Sequence, residues 1–119
     1  MPVFGIQEAG LATALCRADM FGIIALGTKS IPRHRKYMRR LGVLDRLAGG
    51  RALNMSGDES ARGENTLHRL TEVGQQLIND GAECLILGCA GMAKHRGPLE
   101  DALGVPVIDP VQAATAMAL

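Results

Sequence analysis

The chain has 119 residues, enough for one domain with a modest hydrophobic core. Its 13 Lys and Arg residues nearly balance 12 Asp and Glu residues, and the net charge of +1 argues against nucleic-acid or membrane binding through the overall field. Three cysteines without a CxxC pair argue against a disulfide framework or a zinc site and indicate a reducing, cytoplasmic setting. No apolar run approaches the ~20 residues of a membrane span.

Helix and strand signals alternate through the first half of the chain. Ile6–Arg17 is rich in Ala and Leu, which predicts a helix, and residues 21–26 are typical of a buried parallel strand. The next helix is expected to begin near Ser30 and to carry Pro32 in its first turn. A short second strand is predicted at residues 51–55. The expected apolar side of the second helix comprises Tyr37, Met38, Leu41 and Leu44.

The alternation continues through the second half. Asp58 and Ser60 are candidate helix starters, and apolar residues then recur at spacings of three and four up to a helix end at Gly81. Those apolar residues are Leu67, Leu70, Val73, Leu77 and Ile78. The remaining predicted elements are a strand at Cys84–Leu87, a helix at residues 92–103 ending at Gly104, a strand at residues 105–109 and a last helix from about Val111.

Strands and helices that alternate at this spacing predict an α/β domain with a four-stranded parallel sheet flanked by helices. Ligands of such sheets bind beyond the C-terminal ends of the strands. The loops expected there are residues 27–30, 88–92 and 109–111, joined by 54–58 if the second strand forms.

Cys89 follows the most hydrophobic strand and precedes a predicted helix. The amides and dipole of such a helix start would stabilise a thiolate and lower the pKa of the thiol. Gly88 and Gly91 allow a sharp turn and close approach of a ligand to backbone amides, which suit a carboxylate or a developing oxyanion. The alternative is that Cys89 is a small buried hydrophobic residue, but the flanking glycines and the strand-end position favour a reactive thiol.

The other two cysteines are predicted to lie in the core and the three histidines at the surface, so none of them is a candidate catalytic residue. Cys84 lies within a strand and Cys16 among Ala and Leu in the first helix, so both are expected in the core. His34, His68 and His95 fall on expected solvated helix faces without metal-ligand spacing, and we predict no metal site.

Several polar residues have two interpretations. Thr28 and Ser30 either hydrogen-bond a substrate carboxylate or cap their helix. Asp109 is expected to cap the last helix, and the alternative is a catalytic role. The basic run at residues 33–40 is either a solvated face or an anion-binding patch, and no GxxxxGK[ST] or GxGxxG motif supports nucleotide binding.

The segment GCAGM at residues 88–92, followed by residues 98–109, resembles the C-terminal part of the Asp/Glu/hydantoin racemase family, most closely its hydantoin and allantoin racemase branch. Residues 2–10 are similar to the stretch that leads into the second domain of that family, and residues 21–30 to the first strand and substrate loop of that domain. The resemblance extends over nearly the whole chain.

The resemblance implies one domain of a two-domain α/β fold with the active site between the domains. It implies proton transfer at a carbon α to a carbonyl by two facing cysteines, without metal, pyridoxal phosphate or any other cofactor. Cys89 matches the second catalytic cysteine, while Gly88, Ala90 and Gly91 match the backbone around the substrate carbonyl or carboxylate. Thr28 matches a substrate-loop residue.

The chain departs from the family in lacking the segment that carries the first cysteine. The resemblance therefore predicts a truncated racemase, weak or inactive alone, in which residues 1–18 are a linking helix from the absent domain and residues 19–119 form the racemase-like domain. The alternatives are a single-cysteine decarboxylase of the same superfamily and a non-catalytic anion-binding or interaction domain. The expected partners are a small molecule with a carbonyl or carboxylate and further copies of the chain in a homo-oligomer.

Overall fold

The computed structural model describes residues 6–54, 65–88 and 90–118. Helices and strands alternate along these residues, as the hydrophobic pattern predicts. The helices are α1 (Ile6–Arg17), α2 (Ser30–Leu41), α3 (Thr66–Asn79), α4 (Arg96–Leu103) and α5 (Pro110–Ala118), with short 3₁₀-helices at Leu44–Arg46 and Ala90–His95. The strands are β1 (Phe21–Ala25), β2 (Leu47–Ala52), β3 (Cys84–Leu87) and β4 (Val107–Ile108).

The four strands form one parallel sheet in the order β2-β1-β3-β4. Phe21 at the start of β1 is level with Leu47 on β2 and with Cys84 on β3, so the two central strands and β2 begin together. The carboxyl ends of β1 and β3 therefore lie side by side at one edge of the sheet. The predicted fold class is confirmed.

Each strand divides its side chains between two hydrophobic cores, one on either face of the sheet. Ile23 and Ile86 face the core that contains Met38 of α2 and parts of α1 and α5. Ile24 and Leu87 face the other core, which α3 and α4 cover. Because successive residues of a strand point to opposite faces, a strand buried on both sides reads as a continuous apolar run, which is why β1 and β3 were predictable.

Helix α3 confirms the predicted apolar face, since Leu70, Val73 and Leu77 are fully or almost fully buried. The glycines predicted to end helices do so with positive φ angles, 111° at Gly81 and 72° at Gly104. Left-handed backbone of this kind carries little steric cost for glycine. The candidate starters Asp58 and Ser60 lie outside the described residues.

The second strand was predicted too late in the chain. It spans Leu47–Ala52, whereas the prediction was residues 51–55, of which Met55 lies outside the described residues. Gly49 and Gly50 occupy the middle of the strand and contribute no side chain to an apolar pattern. Parallel pairing with β1 maintains the strand despite these glycines, so its position depends on tertiary hydrogen bonds.

Helix α2 packs against the core partly as predicted, since Met38 is buried and Tyr37 packs against the same cluster. Its buried residues are His34 and Met38, while Leu41 is 43% exposed and Tyr37 is only partly buried. His34 and Met38 are four residues apart and therefore share one face of the helix. The prediction that Leu41 is buried was wrong, because the packing surface lies one turn earlier along α2.

Helix α1 is part of the domain core through Ala9, Leu11 and Ala14. Arg46 holds its C-terminal end, since the guanidinium Nε donates to the Asp19 carbonyl at 2.8 Å and Nη2 donates to the Ala18 carbonyl at 2.9 Å. Both carbonyls follow the last residue of α1, and Nη2 also donates at 3.4 Å to the carbonyl of Leu15, one of those that the helix end leaves without an intrahelical partner. That α1 links this domain to a preceding one stays a prediction.

The edge strand β4 has one outward-facing backbone amide hydrogen-bonded within the chain. The Val107 amide donates to the Glu100 carboxylate at 2.8 Å. Because Glu100 lies on α4, a helix side chain occupies this amide of the edge strand and opposes pairing with another sheet. Across the described residues, helices are too short or too polar to cross a membrane.

Candidate functional site

Gly88 anchors the candidate site at the carboxyl end of β3. Its amide donates to the Ile24 carbonyl of β1 at 2.8 Å, which extends the pairing of the two central strands by one residue. A Cβ atom at this position would lie 2.6 Å from the same carbonyl oxygen. Carbon atoms that contact a carbonyl oxygen normally stay about 3.3–3.6 Å away. The close approach of β1 and β3 therefore requires glycine here.

Cys89 itself lies outside the described residues. The chain on either side of it is described: Gly88 follows β3, and Ala90 begins the 3₁₀-helix Ala90–His95, which includes Gly91. The predicted reactive thiol thus follows in sequence from the most tightly held glycine of the sheet edge. The roles predicted for Cys89, Ala90 and Gly91 stay predictions.

The helix after Cys89 begins differently from the prediction. An α-helix was expected over residues 92–103, but α4 spans only Arg96–Leu103, and a 3₁₀-helix precedes it. Pro98 explains the difference, because proline lacks an amide hydrogen and its ring clashes with the carbonyl four residues earlier in a helix interior. An α-helix that starts at Arg96 places Pro98 in its first turn. The α-helical dipole invoked for the thiol therefore begins seven residues after Cys89, and the short 3₁₀-helix is the nearer element.

Thr28 is exposed in the turn between β1 and α2. It lines a cavity of about 350 Å³ on the β2 side of that turn, together with Asn54 and Arg69. Gly88 is not among the residues that line this cavity, although both residues follow central strands at the same edge. Residue Lys29 occupies the cap position of α2 and no side-chain bond caps the helix, so the capping interpretation of Thr28 and Ser30 is wrong.

His34 lies beside the candidate site, close to Gly88, and the sequence prediction placed it wrongly. It was expected on a solvated face, but it is only 9% exposed, and its Cε1 atom lies 3.5 Å from the position of a Cβ on Gly88. Burial, and then the nearby Arg33 guanidinium, lower the pKa of His34 below its ordinary value of 6.5. The imidazole is therefore neutral at physiological pH. The spacing to Met38 was the one sequence signal that could have revealed it.

The remaining histidines differ from one another. His68 is 78% exposed and contacts the Glu72 carboxylate at 2.8 Å, which confirms its predicted surface position. His95, which was expected on a solvated helix face, is partly buried. Within residues 6–54, 65–88 and 90–118, no group of three or more His, Cys, Asp or Glu side chains could hold a metal ion.

Cys84 is buried, as predicted, and its Sγ lies 3.9 Å from the Ala14 carbonyl. Burial raises the pKa of Cys84 to about 11, which makes its thiol inert at neutral pH. Cys16 is exposed, so the prediction that it belongs to the core was wrong. It follows the buried Ala14 by two residues, a rotation of about 200° around the helix axis, which places it on the outer face of α1.

Asp109 has the predicted capping role. Its Oδ1 accepts from the Val111 amide at 3.2 Å at the start of α5. The Arg and Lys side chains of residues 33–40 are exposed, in contrast to His34, which favours the interpretation of that run as a solvated face.

These observations define a class of protein: a parallel α/β domain with a glycine-bounded cysteine segment after its central strand. Comparison with known proteins narrows the class. The Asp/Glu/Hydantoin racemase family profile matches residues 1–118, and the chain belongs to this family.

The chain is 38% identical to the hydantoin racemase of Paenarthrobacter aurescens and 33% identical to that of Rhizobium meliloti, over 98% of its length in both cases. Its structure matches the allantoin racemase from Pseudomonas fluorescens with a TM-score of 0.90 and 29% identity, over 99% of this chain and 51% of that one. The allantoin racemase from Klebsiella pneumoniae matches with a TM-score of 0.89 and 30% identity, over 98% of this chain and 48% of that one. The chain spans about half the length of the relatives that it matches.

Proposed function

We propose that this chain is the C-terminal half of a cofactor-independent racemase that transfers a proton at a carbon α to a carbonyl. The substrate class is a hydantoin, allantoin or an amino-acid-like molecule. The family membership of the chain over residues 1–118 is the observation that carries this proposal.

Cys89 is the proposed proton-transfer group. The packing of Gly88 against Ile24 supports this assignment, because it fixes the backbone that leads directly into Cys89. Proton transfer at carbon needs a group held within hydrogen-bond reach of the reacting proton, and a rigid strand end provides such support better than a mobile loop.

Racemisation requires a second group on the opposite face of the substrate. We infer that this group belongs to the half that the relatives have in addition to the matched region. A positioned general acid or base contributes ~10²–10⁴-fold to the rate, so the chain alone should racemise its substrate very slowly. The genomic sequence upstream of residue 1 tests where this group lies, because an in-frame segment with a further cysteine would supply it.

Exchange of the α proton of a 5-substituted hydantoin with deuterium in D₂O tests the role of Cys89. A single thiol removes and returns the proton on one face, so exchange does not need the second cysteine. We expect slow exchange by the chain, loss of that exchange in Cys89→Ser and no change in Cys16→Ser, which alters an exposed cysteine on α1. Equal exchange by the chain and by Cys89→Ser would remove the role proposed for this residue.

A further inference from the structure

The basic charge of the chain is concentrated on helix α2 and the residue before it. Six of the 13 Lys and Arg residues lie within residues 29–40, a segment without Asp or Glu. All six are exposed, and none has a carboxylate partner in the part of the chain that the structure describes. The six residues are Lys29, Arg33, Arg35, Lys36, Arg39 and Arg40. The small net charge of +1 therefore includes one strongly basic surface.

Four of these cations form a row along the outer side of α2. They are spaced by four, three and four residues, so a rotation of about 100° per residue keeps them within about 60° of one another around the helix axis. The members of this outer row are Lys29, Arg33, Lys36 and Arg40. Lys29 belongs to it because its backbone is already helical, and the buried Met38 lies on the opposite side of the helix. At a rise of about 1.5 Å per residue, the outer row is about 16 Å long.

The outer row does not stabilise the helix that carries it. Like charges three or four residues apart repel each other. Cations at the start of a helix also oppose its dipole, and α2 has no acidic residue in its first turn to offset them. Exposure alone indicates a solvated face, but charges that are unfavourable for the fold are expected to have a use in binding.

The composition of this side of α2 indicates the kind of partner. The centre of a protein interface is apolar or aromatic and poor in Lys, whereas the outer row consists of cations alone. A helix at a membrane surface inserts its apolar side, but the apolar side of α2 packs against the sheet through Met38. Single-stranded nucleic acids stack their bases on aromatic rings, and Tyr37 of α2 is partly buried against the core. The phosphates of a duplex need only cations.

We propose that the outer row of α2 is a docking surface for the sugar–phosphate backbone of a double-stranded nucleic acid. Each strand of a duplex carries one phosphate per about 3.4 Å of helix axis, so a row about 16 Å long faces about five phosphates of one strand. Each cation of the row pairs with a phosphate oxygen and releases a condensed counterion. The contacts reach only the backbone, so docking does not depend on the base sequence. It is independent of the proposed racemase chemistry.

The test is the salt dependence of binding to a fluorescently labelled DNA duplex of about 20 base pairs, measured by fluorescence anisotropy with the full chain. Four phosphate contacts predict a slope of about −3.6 for the logarithm of the affinity against the logarithm of the KCl concentration. The affinity should therefore fall about 10²-fold between about 50 and 200 mM KCl.

Charge-removing variants locate the docking surface. Lys36→Gln/Arg40→Gln should reduce the slope to about −1.8, because two of the four contacts are lost. Lys36→Arg/Arg40→Lys retains both charges and should keep the parent slope. Arg17→Gln/Lys94→Gln is the matched control, since it removes two exposed cations outside α2 and should leave the slope unchanged.

Three results would overturn the proposal: no salt-dependent binding to the duplex, an unchanged slope in Lys36→Gln/Arg40→Gln, or an equal decrease in the control variant. If Lys36→Gln/Arg40→Gln does not fold, Lys36→Gln and Lys36→Arg decide, since only the Gln variant should lower the magnitude of the slope by about 0.9. Co-sedimentation with phosphatidylserine-containing vesicles, without binding to the duplex, would assign the outer row to a membrane surface and also overturn the proposal.

Discussion

Replacing Gly88 by alanine places a methyl group in the contact between β1 and β3. The new Cβ would lie 2.6 Å from the Ile24 carbonyl oxygen and 3.5 Å from the Ala25 Cα. Both neighbours are backbone atoms of a fully buried strand, so no side chain can rotate out of the way. Relief requires the strands to separate by about 0.7 Å at this point, if the contact is to reach ordinary distance.

The cost of Gly88→Ala combines two destabilising contributions and one smaller stabilising contribution. Separation strains the core by about 1–3 kcal/mol and weakens the bond from the Gly88 amide to the Ile24 carbonyl, which is worth about 1 kcal/mol. Alanine restricts the unfolded chain and returns about 0.4–1 kcal/mol. The expected net loss in the free energy of unfolding is about 1–3 kcal/mol.

Urea unfolding followed by far-UV circular dichroism measures this loss, since a chain without Trp offers no tryptophan fluorescence signal. With a slope of about 2 kcal/mol/M, the midpoint should fall by about 0.5–1.5 M. Gly27→Ala is the matched control, because a Cβ at Gly27 meets nothing within 4 Å and its φ lies outside the left-handed region. A Gly88→Ala midpoint at or above that of the parent would refute the argument from close approach.

Three further results are expected. Arg46→Ala should lower the free energy of unfolding by about 1–2 kcal/mol by removing the bonds to the Ala18 and Asp19 carbonyls, whereas Arg40→Ala on the exposed face of α2 should change it by no more than about 0.5 kcal/mol in urea titrations. Burial raises the pKa of Cys84 from 9.0 to about 11, so its contribution to the free energy of unfolding is present below pH 9 and is lost as the pH rises towards 11. Urea midpoints at pH 8 and pH 10 should therefore differ more for the parent than for Cys84→Ala. Equal differences in the two proteins would contradict this. Burial lowers the pKa of His34 below 6.5, so its contribution to the free energy of unfolding is present above pH 6.5 and decreases as the pH falls further. The urea midpoint should therefore fall less between pH 7 and pH 5 in His34→Leu than in His68→Leu. Equal falls in the two variants would contradict the lowered pKa.

Most of the sheet was predictable because strands that are buried on both faces consist of continuous apolar residues. β3 and its neighbour β1 are continuous apolar runs, and the apolar stripe of α3 repeats with helical spacing. β2 was predicted at the wrong position because Gly49 and Gly50 contribute no apolar side chains to the sequence pattern. Its position depends on pairing with β1, which is a contact between distant parts of the chain.

The site was predictable where backbone geometry selects the residue. Gly88 shows this, because only glycine fits beside the Ile24 carbonyl. His34 was not predictable in the same way, since a histidine carries no hydrophobic signal and its burial includes a close approach to the distant residue Gly88. Leu41 shows the converse, because it is exposed although its residue type is typical of a core.

The central claim is that this chain supplies one of two proton-transfer groups of a racemase. The most direct test is to fuse the N-terminal half of the Paenarthrobacter aurescens hydantoin racemase, the part that this chain does not match, to residues 1–119 and to follow the optical rotation of an enantiopure 5-substituted hydantoin. The account predicts that the fusion protein racemises the hydantoin and that Cys89→Ser in the same fusion abolishes this while the circular dichroism spectrum is unchanged. A folded fusion protein that does not racemise the hydantoin, or one that racemises it equally well with Cys89→Ser, would contradict the claim.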